Sequence, residues 1–333
     1  MLGLASDANP GAALPNPTPW QALHKREPAR ALQLRSMTLG NARQTFALLG
    51  YVKPDASSFE RLGFAGRLLR ELATRRPRRI GLLLARSVPD PAAWCEALLS
   101  AAWTESYALP GFQSAPPARW LLERIELYGA PALAVKPIMA SARAGNLVRA
   151  LTALPPNKLD ARAFRRLLTQ LARRHGLSFR WLSESRLRAL GAGAFLAVAR
   201  ANPDRSAGIA HLRWRGPRTR RRARSPDVAL VGKGILFDTG GVNLKQHRWM
   251  LDMHTDMSGS AVALATLLAL AELNSDLAAD AWLAISENNI GPSAYRPQEV
   301  VHAANGTSIQ VIHSDAEGRM VLADTLALAA RTR

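Results

Sequence analysis

The sequence predicts an α/β protein in two parts. A small N-terminal α/β domain is followed by a C-terminal α/β domain, whose mixed, mostly parallel central sheet is flanked by helices. Three observations predict this. Amphipathic helix patterns alternate with short apolar strand patterns along the chain. The strand patterns of the second half are mostly continuous rather than alternating, as in strands covered on both faces. A Pro-Pro-Asn interruption at Pro155–Asn157 punctuates the pattern between the two halves. A length of 333 residues fits about two domains, each able to bury a core.

In chain order, "MLGLASDANPGAALPNPTPW" carries four prolines and neither the basic start nor the apolar stretch of a secretion signal, so residues 1–20 are expected to form a flexible, proline-rich tail. The first domain is placed at 21–145. Within it, "FERLGFAGRLLRELATRR" (59–76) is an amphipathic helix pattern and "IGLLLA" (80–85) a buried strand. "PAAWCEALLSAAW" (91–103) is a helix opened by proline, and "RIELYG" and "PALAV" are strand patterns. A helix pattern over 138–153 leads into the second domain, placed at 146–333. There the strand patterns are "FRWL", "AFLAVA", "IAHLRW", "DVALVG", "AWLAIS" and "SIQVIH", with helices between them.

Composition narrows the function classes. The longest apolar run, Ala261 to Ala271, is too short to span a bilayer, so no membrane partner is expected. The single cysteine, Cys95, rules out an internal disulfide framework and fits a reducing, cytoplasmic setting. The net charge of +19 comes almost wholly from arginine. Its densest run, "RWRGPRTRRRAR" (213–224), can bind a phosphate backbone or serve as a solvated connection between strands. No base-reading motif accompanies it, so nucleic acid is a secondary partner only.

The chemistry gathers where charge follows apolar strands. "VGKGILFDTGG" offers Lys233 and Asp238, "MLDMHTDMSGS" offers Asp252 and Asp256, and "VIHSDAEGRM" offers Asp315, Glu317 and Arg319. Ligand sites of open α/β sheets lie beyond the carboxyl ends of strands, where these segments can meet. Together Asp238, Asp256, Asp315 and Glu317 carry −4, which in one partly buried place would force protonation. Two divalent cations, about 3.5–4 Å apart in such centres, would neutralise it. The competing structural reading is separate ion pairs and helix caps, with Asp256 capping the helix that follows. The lone Gly-x-Gly at 232–234 lacks the rest of a dinucleotide or phosphate loop, and neither His-Glu-x-x-His nor Gly-x-Ser-x-Gly occurs.

Taken together, the three segments resemble the cytosol (leucyl) aminopeptidase family of two-metal exopeptidases. "VGKGILFDTGGVNLK" follows the family's Val-Gly-Lys-Gly-x-x-Phe-Asp-Ser/Thr-Gly-Gly-x-x-x-Lys throughout. "DMHTDMSGSAVAL" resembles its Asp-Met-x-Gly-Ala segment. "HSDAEGRMVLADTLALA" resembles its Asn-Thr-Asp-Ala-Glu-Gly-Arg hallmark, with His313 and Ser314 in place of Asn-Thr. Weaker likeness runs through "PPNKL", "LRALGAGAFLAVARAN" and "SENNIGPSAYRPQEVV", so the resemblance covers roughly 140–333 well and 1–140 faintly.

The resemblance implies that Lys233, Asp238, Asp256, Asp315 and Glu317 are metal ligands, with Asp238 and Glu317 bridging two ions, Mn²⁺ or Zn²⁺. Lys245 and Arg319 match the family's two catalytic cations. It further implies a peptide substrate and a metal-bridging water as nucleophile. Lys245 would act as electrophile, and a bicarbonate held by Arg319 as base. Hexameric assembly is the family's habit. The chain ends at "LALAARTR", inside the helix after the hallmark, so the expected catalytic domain is C-terminally truncated relative to the family. A second reading makes the chain a catalytically impaired homologue that acts as a basic nucleic-acid-binding or interaction protein.

Overall fold

The computed structural model describes residues 1–5, 17–26, 30–115, 119–218 and 225–331. They form two compact units, Met1–Ala142 and Arg143–Arg333. The first unit runs β1 (Leu2–Ala5), α1 (Pro17–Arg26), β2 (Leu34–Thr38), β3 (Phe46–Tyr51), α2 (Ser58–Ala73), β4 (Arg79–Leu84), α3 (Pro91–Ser106) and β5 (Arg124–Tyr128). Its sheet has the order β2-β3-β1-β4-β5, and only the β2–β3 pairing is antiparallel. Local sequence sets the helix ends. Ser57 and Glu60 form a reciprocal capping box at the start of α2, and Asp90 caps α3 just ahead of Pro91.

Two expectations for this region need correction. The tail does not begin at the first residue: Leu2–Ala5 is a fully buried strand between β3 and β4, at the middle of the sheet. Four residues ahead of a proline-rich stretch are too few to show a periodicity, so the strand left no pattern in the sequence. Residues 6–16 of that stretch lie outside the described residues. "PALAV" is not a strand; its first four residues are irregular and Val135 opens α4 (Val135–Thr152). The segment is largely exposed and pairs with no strand among the described residues.

The second unit continues with α5 (Ala161–His175), β6 (Ser178–Ser183), α6 (Glu184–Ala189), α7 (Gly193–Ala199), β7 (Gly208–Trp214), β8 (Val228–Asp238), α8 (His247–Met250), α9 (Ser258–Glu272), β9 (Ala279–Asn288), β10 (Val300–His302), β11 (Ser308–Gln310) and α10 (Glu317–Ala330). Its sheet is mixed, in the order β6-β7-β9-β8. Strands β8 and β9 run parallel, whereas β6–β7 and β7–β9 are antiparallel; the parallel majority lies in the first sheet.

Successive residues of β9 face opposite sides, and both sides are covered. Ala281, Leu283 and Ile285 pack with Phe164, Leu168, Leu264 and Leu267 of α5 and α9. Trp282 and Ala284 pack with Phe195, Val198, Met320 and Val321 of α7 and α10. This two-sided burial is why the strand reads as a continuous apolar run.

Two further expectations fail here. "AFLAVA" is helix α7 rather than a strand, since a buried apolar run of six has no periodicity that separates the two forms. Gly193 opens α7 because a Cβ there would lie 2.4 Å from the His302 carbonyl oxygen. "SIQVIH" gives only β11, which pairs with β10 in a separate two-stranded ribbon. Of the arginine run, Arg213 lies on β7 and Arg215 just beyond it, while residues 219–224 lie outside the described residues. Among the described residues, no helix is long and apolar enough to cross a membrane.

Candidate metal centre

The parallel pair β8 and β9 carries two polar residues to the same end of the sheet. Asp238 closes β8 opposite Asn288, which closes β9, across an irregularity between Ile235 and Asp238. Beyond Asp238 the chain reverses through Gly240 and Gly241, both with left-handed φ (86° and 65°). A Cβ on Gly240 would stand 2.5 Å from the Asn243 carbonyl oxygen, so this turn requires glycine. Thr239 donates from its amide and its hydroxyl to the Asn288 carbonyl, and the Lys245 amide donates back to the Thr239 carbonyl at 2.9 Å. That loop returns Lys245 to the centre. Its Nζ lies 3.0 Å from Asp238 Oδ2 and pairs with Asp315.

Lys233 stands on β8 itself. Gly232 and Gly234 beside it leave room for the start of α9; a Cβ on Gly232 would lie 2.6 Å from the Gly259 carbonyl oxygen and the Ser260 Cα. The lysine reaches across to Asp256 Oδ2 at 2.7 Å and Glu317 Oε1 at 2.6 Å. Gly318 borders its path, since a Cβ there would come within 3.0 Å of the Lys233 side-chain end.

The third segment is pinned to the Gly-Gly turn. Ser314 Oγ donates to the Gly240 carbonyl at 2.6 Å, the Asn243 amide donates to Ser314 Oγ at 2.8 Å, and the Ser314 amide donates to Asn243 Oδ1 at 2.8 Å. The Tyr295 hydroxyl and Asn288 Nδ2 both donate to the Ser314 carbonyl. Asp315 and Glu317 are thereby delivered to Asp238. One oxygen of each of the three carboxylates lies within 4.8 Å of the others. Asp238 and Glu317 are both buried.

The structure therefore brings together Lys233, Lys245, Asp238, Asp256, Asp315 and Glu317, with Asp256 joined to the rest through Lys233. Asp256 does not cap α9: the cap position is Met257, and the Asp256 carboxylate turns to Lys233. Asp252 is exposed and takes no part. Arg319 lies exposed on the first turn of α10 and makes no ion pair among the described residues. His313 accepts the Asp315 amide hydrogen on Nδ1.

Four carboxylates face two ammonium groups, which leaves −2 in a largely buried place. Burial raises the Asp256 carboxyl to about 6 against the pull of Lys233. Burial works against both lysine charges, yet their carboxylate partners outweigh it and hold Lys233 and Lys245 above the ordinary lysine value. Asn288 Oδ1 is buried without a partner. Oxygen donors of this kind, clustered and carrying uncompensated negative charge, fit hard or borderline divalent cations.

Asn288, Tyr295 and Asn243 were not identified as site residues from the sequence. Asn288 is the last of three polar residues, Ser286 to Asn288, that follow the apolar stretch of β9.

A carboxylate-lined centre thus sits at the end of a mixed sheet, held by a Lys-Gly strand and an Asp-Ala-Glu-Gly-Arg turn. Residues 146–333 match the cytosol aminopeptidase family, catalytic domain, and the chain belongs to that family. It is 34% identical over 318 residues to a probable cytosol aminopeptidase of Parasynechococcus marenigrum (strain WH8102), covering 94% of this chain and 64% of that one. With a probable cytosol aminopeptidase of Synechococcus sp. (strain CC9311) it shares 37% identity, covering 83% and 55%. The chain thus spans less than two thirds of the length of these relatives. Among solved structures it is similar to the bottromycin maturation enzyme BotP in complex with Mn, with TM-score 0.81, 27% identity, and coverage of 99% of this chain and 68% of that one. The cytosol aminopeptidase from Coxiella burnetii shares the fold, with TM-score 0.78 at 22% identity over the same shares.

Proposed function

We propose that this chain is a metal-dependent aminopeptidase that removes the N-terminal residue from peptides. The observation that carries the reading is the convergence of Asp238, Asp315 and Glu317 oxygens within 4.8 Å, with Lys233 and Lys245 pressed against them and, counting Asp256 on Lys233, two negative charges left over. Family membership supports it, as does the manganese named for the BotP structure.

Asp238, Asp256, Asp315, Glu317 and Lys233 would hold two divalent ions, Mn²⁺ or Zn²⁺. Bound there, such ions lower the pKa of water and polarise a carbonyl. Lys233 would donate as a neutral amine, releasing to solvent the proton that its ion pairs with Asp256 and Glu317 otherwise hold on it.

The chain's own residues supply the rest. Lys245, held on the Thr239–Lys245 loop, carries a fixed ammonium beside Asp238 and Asp315, and can stabilise the oxyanion as the scissile carbonyl becomes tetrahedral. Arg319, exposed near the amino end of α10 and without an ion pair among the described residues, offers a charge that with the helix dipole favours an anion such as bicarbonate, which would accept the water proton. Asn288 keeps two of the carboxylates in register.

The test is hydrolysis of leucine p-nitroanilide by the full chain with Mn²⁺. The reading predicts turnover that a chelator abolishes and that Glu317→Gln lacks. Equal turnover in Glu317→Gln, or none in the metal-loaded wild type, would overturn it.

A further inference from the structure

A cavity of about 340 Å³ opens on the α10-covered face of the same sheet, towards its β6 edge, and shares no residue with the metal centre. Strand register builds its floor. Arg180 on β6 stands opposite His211 on β7, which stands opposite Trp282 on β9; the neighbouring row on that face sets Ser178 beside Arg213. The rings of His211 and Trp282 are stacked, with centroids 3.8 Å apart and planes 17° from parallel, and both residues are buried. Arg186 and Leu190 from α6 and its end, and Leu328 and Arg331 from α10 and its end, complete the walls.

Four arginines line this cavity and no carboxylate does. The nearby buried carboxylate, Asp280, is already committed: Oδ2 to His211 Nε2 at 2.7 Å and Oδ1 to Arg215 Nη1 at 2.6 Å. It therefore forms no ion pair with a lining guanidinium group, although it stands opposite Arg213 in register. Those of Arg180, Arg186 and Arg213 have no ion-pair partner among the described residues, whereas Arg331 donates to the Ala304 carbonyl. Unpaired cations gathered around one concavity repel each other, and a multiply charged anion relieves that repulsion better than a single carboxylate.

We propose that this cavity binds a phosphomonoester carried on a flat, apolar body, of which a nucleoside monophosphate is the simplest probe. The guanidinium fork matches phosphate oxygens two at a time, and its planar face stacks on aromatic rings. Inorganic phosphate alone would leave most of the space empty; the volume is that of a small-molecule site, and Leu182, Leu190 and Leu328 offer apolar walls to the remainder of a ligand. The site works independently of the metal centre, so its occupancy is insensitive to chelation.

Calorimetric titration of the full chain with adenosine monophosphate, adenosine, inorganic phosphate and a short single-stranded DNA tests this. Saturable binding of the monophosphate is expected, unchanged by chelator. It should weaken at least about tenfold when either phosphate or base is absent. A similar weakening is expected in the double variant Arg180→Ala/Arg213→Ala and, independently, in Arg186→Ala. These are exposed side chains, and unchanged circular dichroism shows that each variant is folded. The proposal is overturned if the monophosphate does not saturate, if either folded variant binds it undiminished, if inorganic phosphate binds equally well, or if only the DNA binds.

Discussion

Asn288 Nδ2 donates to Asp238 Oδ1 at 2.8 Å and to Glu317 Oε2 at 3.4 Å, so a single buried amide spans two carboxylates that come from different segments of the fold. Its third acceptor, the Ser314 carbonyl, fixes the turn that delivers Asp315. Groups that orient ligands in this way typically contribute 10–100-fold to metal affinity. Asn288→Ala is accordingly expected to weaken Mn²⁺ binding by about that factor, measured by competition with a fluorescent chelator. Unchanged affinity would show that the carboxylates hold their places without the amide.

One glycine, Gly232, precedes Lys233 in β8 and another, Gly318, borders its side chain, and their replacement separates stability from geometry. A Cβ at Gly232 would meet backbone atoms of Gly259 and Ser260 at 2.6 Å, and backbone cannot yield cheaply. Gly232→Ala should cost about 1–3 kcal/mol or more in urea unfolding. At Gly318 the obstructing atoms are the flexible end of Lys233, at 2.9–3.0 Å. Gly318→Ala should leave the unfolding midpoint near wild type while displacing Lys233 from Glu317, so that hydrolysis falls. Equal destabilisation by the two would contradict the distinction.

Asp256 gives the metal-free protein a specific pH dependence. Burial raises its carboxyl from 3.8 to about 6, so between those values the folded chain keeps a proton that the unfolded chain has released. Stability from this group is therefore present at low pH, declines as pH rises through the window, and is flat above it. The loss is on the order of 3 kcal/mol at about 1.4 kcal/mol per unit. In chelator, Asp256→Asn should gain stability relative to wild type between pH 4 and 7. Parallel pH curves from denaturant unfolding would refute this.

Asp324 of α10 is fully buried and accepts amide hydrogens from Phe195 at 2.7 Å and Ala304 at 2.6 Å, tying α7 and the β10–β11 ribbon to the helix that carries Glu317. Asp324→Ala strands one buried and one part-buried donor and should cost about 2–3 kcal/mol in urea unfolding. A variant within 0.5 kcal/mol of wild type would mean that water or neighbouring groups replace the carboxylate.

The sequence made the charged residues of the centre legible because lysines and carboxylates at the ends of apolar strands have no packing explanation there. Lys233, Lys245, Asp238, Asp256, Asp315 and Glu317 stood out for that reason, and the structure brings them together. What stayed hidden was their support. Asn288, Tyr295 and Asn243 act through hydrogen bonds to groups distant in sequence, and neutral polar residues in loops or at strand ends have many ordinary explanations. The same limit applies to elements. Helix α7 is a short apolar run whose form is decided by its packing on α10, and β1 is a strand only because β3 and β4 flank it.

The central claim is that Asp238, Asp315 and Glu317 form a divalent-cation site. Calorimetric titration of the chelator-treated chain with Mn²⁺ tests it most directly. Saturable binding that is lost or strongly weakened in folded Glu317→Gln is the result predicted. No saturable binding by the wild type, or binding that Glu317→Gln retains in full, would contradict it.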